Sequence, residues 1–150
     1  MIVLRTPTPD EAQALTDLAL RSKGVWGYDD AFMQSCRDEL TVTPAVIRSC
    51  FTQIAEINGR LVGFVQITSR GGFAEIARLF IEPTDIRTGI GRKLFEWAKA
   101  TASATGAETL TIESDPSAAG FYRRMGAVDN GVIPSGSIHG RFIPRLIFRL

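Results

Sequence analysis

The chain has 150 residues, of which 45% are hydrophobic, and its 17 basic residues nearly balance its 16 acidic ones. This length predicts one domain over residues 1–150, and a formal charge of +1 gives no field that would recruit nucleic acid or an anionic membrane. Cys36 and Cys50 are too few for a disulfide framework and lie in no metal-ligand cluster, so no metal is expected. Without a signal-peptide pattern or an apolar run of about 20 residues, the chain is expected to be soluble and cytoplasmic.

The N-terminal segment predicts a strand followed by a helix. Residues 2–4 form a short apolar run. Thr8 then suits a helix N-cap, with Glu11 completing a capping box. Apolar residues at helical spacing predict that this helix ends near Lys23, with Gly24 as its C-terminal cap.

An aromatic loop separates this helix from a second one. Trp26 and Tyr28 lie in the loop, and Asp29 is a suitable N-cap for a helix that continues to Leu40. Residues 41–48 have no clear periodicity. They are predicted as a loop with at most a short turn of helix.

The next segment predicts three antiparallel strands. Residues 50–57 and 61–68 are strand-like and flank an Asn-Gly pair, the strongest short hairpin signal. A glycine-rich turn leads to a third strand, residues 73–81, which ends before Pro83 because proline cannot donate to a sheet ladder.

Two glycines mark the start of the helix that follows. Gly89 and Gly91 flank Ile90, from which apolar residues recur at helical spacing. Glycines at a helix start allow backbone N–H groups to approach an anion, typically a phosphate. The basic residues nearby are Arg87, Arg92 and Lys93. The alternative is a tight strand-to-helix turn that binds nothing; the basic residues favour the phosphate site.

The C-terminal part predicts a strand, a short helix and a final strand. Gly106 ends the preceding helix, and the helical crossover makes residues 109–113 a strand parallel to residues 73–81. Residues 117–125 form a short helix, and residues 145–150 alternate as a half-buried strand should. The segment before that strand is predicted as a loop from Gly131, Pro134, Gly136 and Gly140.

Two motifs carry a resemblance to a known family. The segment RTGIGRKL, beginning at Arg87, resembles the pyrophosphate loop of the GNAT superfamily of N-acetyltransferases, Gln/Arg-x-x-Gly-x-Gly/Ala, except that Ile86 occupies the Gln/Arg position. The segment DPSAAGFYRRMG, from Asp115 to Gly126, resembles the family's Asn-x-x-Ala-x-x-Phe-Tyr-x-x-x-Gly, with Asp replacing Asn. The motifs occur in the family's order and cover the chain from about Phe73 to Gly126.

The resemblance implies an α+β fold with a mixed, mostly antiparallel sheet of about six to seven strands and about four helices. It implies acetyl-CoA as a co-substrate, held where the central strands diverge. The residues assigned to the cofactor are Leu79, Phe80, Ile81, Arg87, Thr88, Gly89, Ile90, Gly91, Arg92, Asp115, Ala118 and Phe121. A backbone N–H of Phe80 or Ile81 would polarise the thioester carbonyl.

The resemblance also suggests catalytic side chains. Tyr122 occupies the position of the family's general acid, where a phenol would protonate the leaving thiolate; alternatively, its ring anchors the short helix. Glu75 resembles the glutamate base of related histone acetyltransferases. It is otherwise a solvated carboxylate at a strand edge, and a water chain would make a base unnecessary. Trp26 and Tyr28 are assigned to the acceptor pocket or to core packing.

The function implied is an acyl-CoA-dependent N-acyltransferase that moves an acetyl group to a primary amine of a small molecule or peptide, directly in a ternary complex. The alternative is an acyl-CoA-binding sensor or interaction module with little turnover, which the departures at Ile86 and Asp115 motivate. Homodimers are common in the family, and the apolar final strand is a candidate interface. No nucleic-acid or membrane partner is expected.

Overall fold

The computed structural model describes all residues, 1–150, as one sheet flanked by helices. The strands are β1 (Ile2–Arg5), β2 (Phe51–Ile57), β3 (Arg60–Arg70), β4 (Phe73–Ile81), β5 (Thr109–Glu113), β6 (Val128–Pro134) and β7 (Phe142–Arg149). The α-helices are α1 (Ala12–Gly24), α2 (Asp30–Leu40), α3 (Pro44–Ser49), α4 (Ile90–Ala104) and α5 (Ala119–Arg124). No helix has the length and apolarity that crossing a membrane requires.

The seven strands follow the order β1-β2-β3-β4-β5-β7-β6. Only β4 and β5 are parallel, because α4 carries the chain back across the sheet between them; every other neighbouring pair is antiparallel. This mixed sheet confirms the predicted α+β fold class.

The sheet buries a hydrophobic core on each face. Leu94 and Phe95 of α4 are fully buried in the core on one face. Leu15 and Leu18 of α1 are fully buried in the core on the other, which also includes residues of α2 and α3. Each amphipathic helix thus covers part of the sheet with its apolar side.

A bulge in β4 changes which side chains face each core. Opposite β3, the register passes from Gln66↔Arg78 to Ile67↔Ile76, which leaves Ala77 as the extra residue. Before the bulge, Ile76 faces the α4 side. After it, Leu79 packs on that side, whereas Phe80 packs against the core beneath α1 and α2.

β4 and β5 pair only along part of their lengths. Their parallel register runs from Phe73↔Thr109 to Ile76↔Ile112. β4 continues to Ile81, whereas β5 ends at Glu113, so the sheet opens into a split beyond the bulge.

Two elements differ from the sequence expectation. β6 lies where a loop was predicted; it is an edge strand with a register irregularity between Asp129 and Val132, and such strands tolerate Gly131 and Pro134. The short α3 is a fifth helix, with Pro44 in its first turn and the Thr43 side chain accepting a hydrogen bond from the Val46 N–H at 3.1 Å.

Candidate active site

The N-terminus of α4 has the geometry of an anion cradle. Gly89 is left-handed (φ 89°), as is the preceding Arg87 (φ 69°), and the first hydrogen bond of the helix runs from Lys93 N–H to Gly89 O. The N–H groups without a partner inside the helix are those of Ile90, Gly91 and Arg92. Thr88 Oγ1 donates to the Asp85 carbonyl at 2.5 Å and steadies the loop. Free N–H groups at the positive end of a helix dipole suit a phosphate.

Side chains and backbone have separate roles in this loop. The Ile90 side chain is buried in the core, so it anchors the helix while its N–H remains available. Arg87 and Arg92 are exposed and therefore free to meet phosphate oxygens. A Cβ atom on Gly89 would have no neighbour within 4 Å, so the space above it is open.

The second motif packs directly against this loop. A Cβ atom on Gly91 would lie 3.0 Å from Phe121 Cε1. The Phe121 ring also meets Phe95 edge-on, with centroids 6.3 Å apart. The two motifs predicted from sequence therefore meet in space, and Phe121 contributes packing.

A cavity of about 140 Å³ occupies the split between β4 and β5. Among the predicted site residues, its lining includes Leu79, Phe80, Asp115, Ala118 and Tyr122. Glu75, Trp26 and Tyr28 do not line it, and the phosphate loop lies outside it. A larger surface depression of about 490 Å³ lies near Arg21 and Arg60, whose guanidinium groups are already paired with Glu82 and Asp85. It contains none of the predicted residues.

The hydrogen-bond pattern of β4 identifies the backbone donors that face the split. Glu82 N–H donates to Val62 O across the β3–β4 pair at 2.8 Å. Hydrogen-bonded and non-hydrogen-bonded pairs alternate in an antiparallel ladder, so the N–H groups of Ile81 and Leu79 point away from β3. The N–H of Phe80 points toward β3. Of the two candidates for polarising a carbonyl, the register therefore favours Ile81.

Tyr122 lies in the wall of the cavity with 5% of its surface exposed. Burial alone raises the pKa of its phenol well above the ordinary value, so the hydroxyl is protonated at neutral pH. The ring packs against Phe95 with centroids 6.0 Å apart. The residue thus has a packing contact and an available proton, consistent with either predicted role.

Glu75 is half-buried on the face of β4 opposite Ile76. Burial, and then the neighbouring carboxylate of Glu113, raise the pKa of Glu75. Glu113 itself lines the cavity and is paired in register with Arg145 of β7. The sequence analysis missed Glu113; its signal was its position as the last residue of β5, separated from the second motif only by Ser114.

Asp115 is the centre of a cluster that joins three loops. Lys23 Nζ donates to its carboxylate at 2.9 Å, and the Tyr28 hydroxyl donates at 2.8 Å. Arg141 Nη2 donates to Tyr28 Oη at 3.0 Å and lies 3.5 Å from Asp115 Oδ2. Burial alone would raise the pKa of Asp115, but the contacts with Lys23, the Ser117 N–H and the Tyr28 hydroxyl lower it to about 2.

Of the two residues predicted for the acceptor pocket, Tyr28 belongs to this cluster and Trp26 does not. Tyr28 stacks on Phe32 with ring centroids 3.9 Å apart and contacts the cavity wall through Asp115. Trp26 is 46% exposed, so it plugs no core. Lys23 and Arg141 line the cavity but were not predicted, because no local motif marks them.

Comparisons with known proteins agree with this geometry. The architecture is similar to the coenzyme A complex of the PaiA N-acetyltransferase from Thermoplasma acidophilum, with a TM-score of 0.82, 16% identity, and coverage of 100% of this chain and 99% of that one. It is also similar to the IAA acetyltransferase from Bacillus cereus, with a TM-score of 0.69, 18% identity and full coverage of both chains. These similarities define the class of fold, that of the acetyltransferases.

Sequence comparison is more specific. The curated IAA acetyltransferase of Azospirillum brasilense is 34% identical over 83 residues, which are 52% of this chain and 54% of that protein. The match thus spans about half the length of that relative. The model of the acetyltransferase (GNAT) domain matches residues 27–132. The chain belongs to the GNAT acetyltransferase family.

Proposed function

We propose that residues 1–150 form one catalytic domain that transfers an acetyl group from acetyl-CoA to a primary amine in a ternary complex. The observation that carries this proposal is the cavity in the split between β4 and β5, because its lining comes from both faces of the sheet. Tyr122 and Leu79 belong to the α4 side, whereas Lys23 and Arg78 belong to the α1–α2 side. A thioester on one side and an amine on the other would meet in the split, without an acetylated enzyme.

The cofactor would be held mainly by backbone. The free N–H groups of α4 would bind its pyrophosphate, and Leu79 and Ile81 would pair with its extended arm. Acetyl-CoA supplies the activated acyl group as a thioester. The Ile81 N–H is suited to stabilise the oxyanion that develops on the carbonyl oxygen during transfer.

The amine must be neutral before it attacks. The Glu75–Glu113 pair, or water reached through it, would accept one proton from the ammonium group. The nitrogen then bonds to the carbonyl carbon, the C–S bond breaks, and the thiolate takes a proton from the Tyr122 hydroxyl. The proton lost by the attacking nitrogen returns to Tyr122 through solvent. The products are an amide, free coenzyme A and one released proton.

A panel of primary amines with a free-thiol readout tests the proposal. Acetyl-CoA and a suitable amine should release thiol and give the N-acetyl product by mass spectrometry, in equal amounts. Acetyl-CoA that raises the Tm while no amine in the panel releases thiol would favour the sensor alternative.

A further inference from the structure

The acceptor side of the cavity contains both signs of charge, separated from each other. The ionised side chains that line the cavity are Lys23, Glu39, Arg78, Glu113, Asp115 and Arg141. Their formal charges cancel, but their partners divide them into a positive end and a negative end. That division carries information about the acceptor.

At the positive end, two cations share one carboxylate. Lys23 and Arg141 both contact Asp115 Oδ2, at 2.9 and 3.5 Å, and the three side chains are only 11%, 20% and 13% exposed, respectively. One unit of positive charge is therefore left over in a poorly solvated place, where screening is weak. Arg141 makes these contacts through Nη2, so its remaining guanidinium N–H groups are available to another acceptor.

Arg78 adds to this positive end. Its Nη1 donates to Gln66 Oε1 at 3.1 Å, and its Nη2 donates to the backbone carbonyls of Glu39 and Thr41. Its Nε is buried and has no hydrogen-bond partner. No carboxylate forms an ion pair with this guanidinium, so its charge is compensated by dipoles and by the more distant carboxylate of Glu39.

The negative end lies where β5 ends, beside the split. Glu113 closes β5 at the split, Glu75 lies beside it on β4, and only Arg145 faces the pair from β7. Two carboxylates against one guanidinium leave a negative surplus when both are ionised. Glu39, the remaining acid, is exposed at the rim and accepts a hydrogen bond from the Ser137 hydroxyl.

We propose that the acceptor is a small amine that also carries a carboxylate, of the amino-acid type. Arg141, with Lys23 behind it, would bind the carboxylate, and Glu113 would receive the amine beside the split. A bidentate guanidinium–carboxylate contact is among the strongest and most directional that proteins make. The cavity of about 140 Å³ is smaller than the about 300–1,000 Å³ of drug-sized ligand sites, which favours a free small molecule over a peptide segment. A polyamine would place its second cation against Lys23 and Arg141, which disfavours it.

This inference rests on the proposed function, and its test separates the two. Amino acids and their carboxamides form matched pairs in which a neutral group replaces the anionic one; the amide's amine is also less basic, which works against the preference expected for the acid. In the thiol-release assay with acetyl-CoA, kcat/KM should be higher for the acid than for its amide by about 100-fold, the scale of losing a hydrogen bond to a charged group. Arg141→Gln should reduce this preference to a few-fold, mainly by raising KM for the acids. Arg141→Lys, which keeps the charge, should retain a large part of it.

Arg37→Gln is the matched control, because Arg37 is exposed on α2 and lies outside the cavity. It should leave the preference unchanged. Equal turnover of acid and amide, an unchanged preference in Arg141→Gln, or turnover restricted to polyamines would each overturn the inference.

If no amine is acetylated, the proposed function fails while the carboxylate site is still measurable. Calorimetry with coenzyme A present should then show that the acids bind more tightly than their amides. Acids that bind no better than amides would overturn the carboxylate site independently of turnover.

Discussion

The Phe121 ring lies 3.0 Å from the position that a Cβ atom would occupy on Gly91. This contact joins the first turn of α4 to α5, and so joins the anion cradle to the motif that carries Tyr122. A side chain at this position would therefore press on a neighbouring ring. Its φ is not in the left-handed region, unlike that of Gly89.

Gly91→Ala tests this contact, because its effect on the free energy of unfolding should have opposite signs with and without the Phe121 ring. An alanine in place of a helical glycine normally stabilises by about 1 kcal/mol, but overpacking against a ring costs about 1–3 kcal/mol. The free energy of unfolding should therefore fall in the wild-type background and rise in a Phe121→Leu background. Urea unfolding of the four proteins measures the coupling. The same effect in both backgrounds would remove the Phe121 contact as the cause.

Gly89→Asp tests the anion cradle. Its carboxylate would occupy the phosphate position, so coenzyme A should no longer raise the Tm, whereas at 100 times Kd it stabilises the wild type by about 2.7 kcal/mol. Gly71→Asp is the control, because Gly71 is also left-handed (φ 62°) with open space around it and lies in the β3–β4 turn. Both variants should lower the ligand-free Tm, but only Gly71→Asp should keep the ligand response. A response that persists in Gly89→Asp would refute the loop assignment.

Tyr122→Phe separates the proton from the packing. The ring contacts with Phe95 remain, so Tm and coenzyme A affinity should change little. If the hydroxyl protonates the leaving thiolate, kcat should fall by about 100-fold or more, the scale of a positioned acid. Full activity in the variant would leave Tyr122 with a packing role alone.

Glu75→Gln should have opposite effects on stability and turnover. The raised pKa means that the native state binds more protons than the unfolded chain, so ionised Glu75 reduces stability as pH rises above its unfolded pKa of about 4.3. The variant should therefore be more stable than the wild type at pH 7 and equal to it at acid pH. Its turnover should drop mainly at acidic to neutral pH, where the amine needs a base.

Unfolding curves and rate profiles against pH measure both effects of Glu75→Gln. The control is Glu108→Gln, an exposed carboxylate whose removal should change neither profile. Superimposable rate profiles for Glu75→Gln and the wild type would remove Glu75 from the mechanism and favour a solvent route.

Asp115→Asn should destabilise the domain, because Lys23 and Arg141 lose their shared counter-charge. Leaving these poorly exposed groups under-compensated should cost about 1–3 kcal/mol. The pKa of Asp115 in the folded protein is lowered to about 2. Its contribution to stability is therefore fully present above the unfolded pKa and is lost as the pH falls from there through the folded pKa. The difference between variant and wild type should shrink accordingly.

Asp129→Asn is the comparison for that prediction. Asp129 and Arg123 form an ion pair whose side chains are 57% and 50% exposed, so solvent screens it and its loss should destabilise the domain less than the loss of Asp115. Unfolding by urea between pH 2 and pH 7 measures both. Equal losses for the two variants would contradict the special role of the Asp115 cluster.

The elements that were predicted correctly carry their signals locally. The Asn-Gly hairpin between β2 and β3 has Asn58 and Gly59 in the left-handed region, and Gly106, also left-handed, follows α4 as expected. The first loop was predicted less well. Gly24 continues α1 as an ordinary helical residue, and Gly27 takes the positive φ instead. Two nearby glycines compete for one role, and tertiary contacts decide between them.

The charged residues of the site were the hardest to predict. Tyr122 and Asp115 belong to a motif with a recognisable spacing. Arg141 lies in the segment between β6 and β7, and the glycines and prolines of this region predict a loop even where β6 forms. Lys23 lies in the last turn of α1 and suits a solvated position by sequence alone. Their proximity to Asp115 results from chain topology across 92 and 26 residues of separation, which no local pattern records.

The extra residue at Ala77 changes which positions of β4 lie on the same face of the sheet. In a regular strand, Glu75 and Arg78 would project to opposite faces, since their separation is odd. Because the bulge lies between them, both project from the same face of β4, the one that faces α1 and α2. The alternation of faces therefore shifts by one residue at Ala77: odd-numbered positions before it and even-numbered positions after it lie on the same face of β4. The residues of β4 that face α1 and α2 must therefore be counted separately on each side of Ala77, because a single alternation along the strand would assign those beyond it to the wrong face.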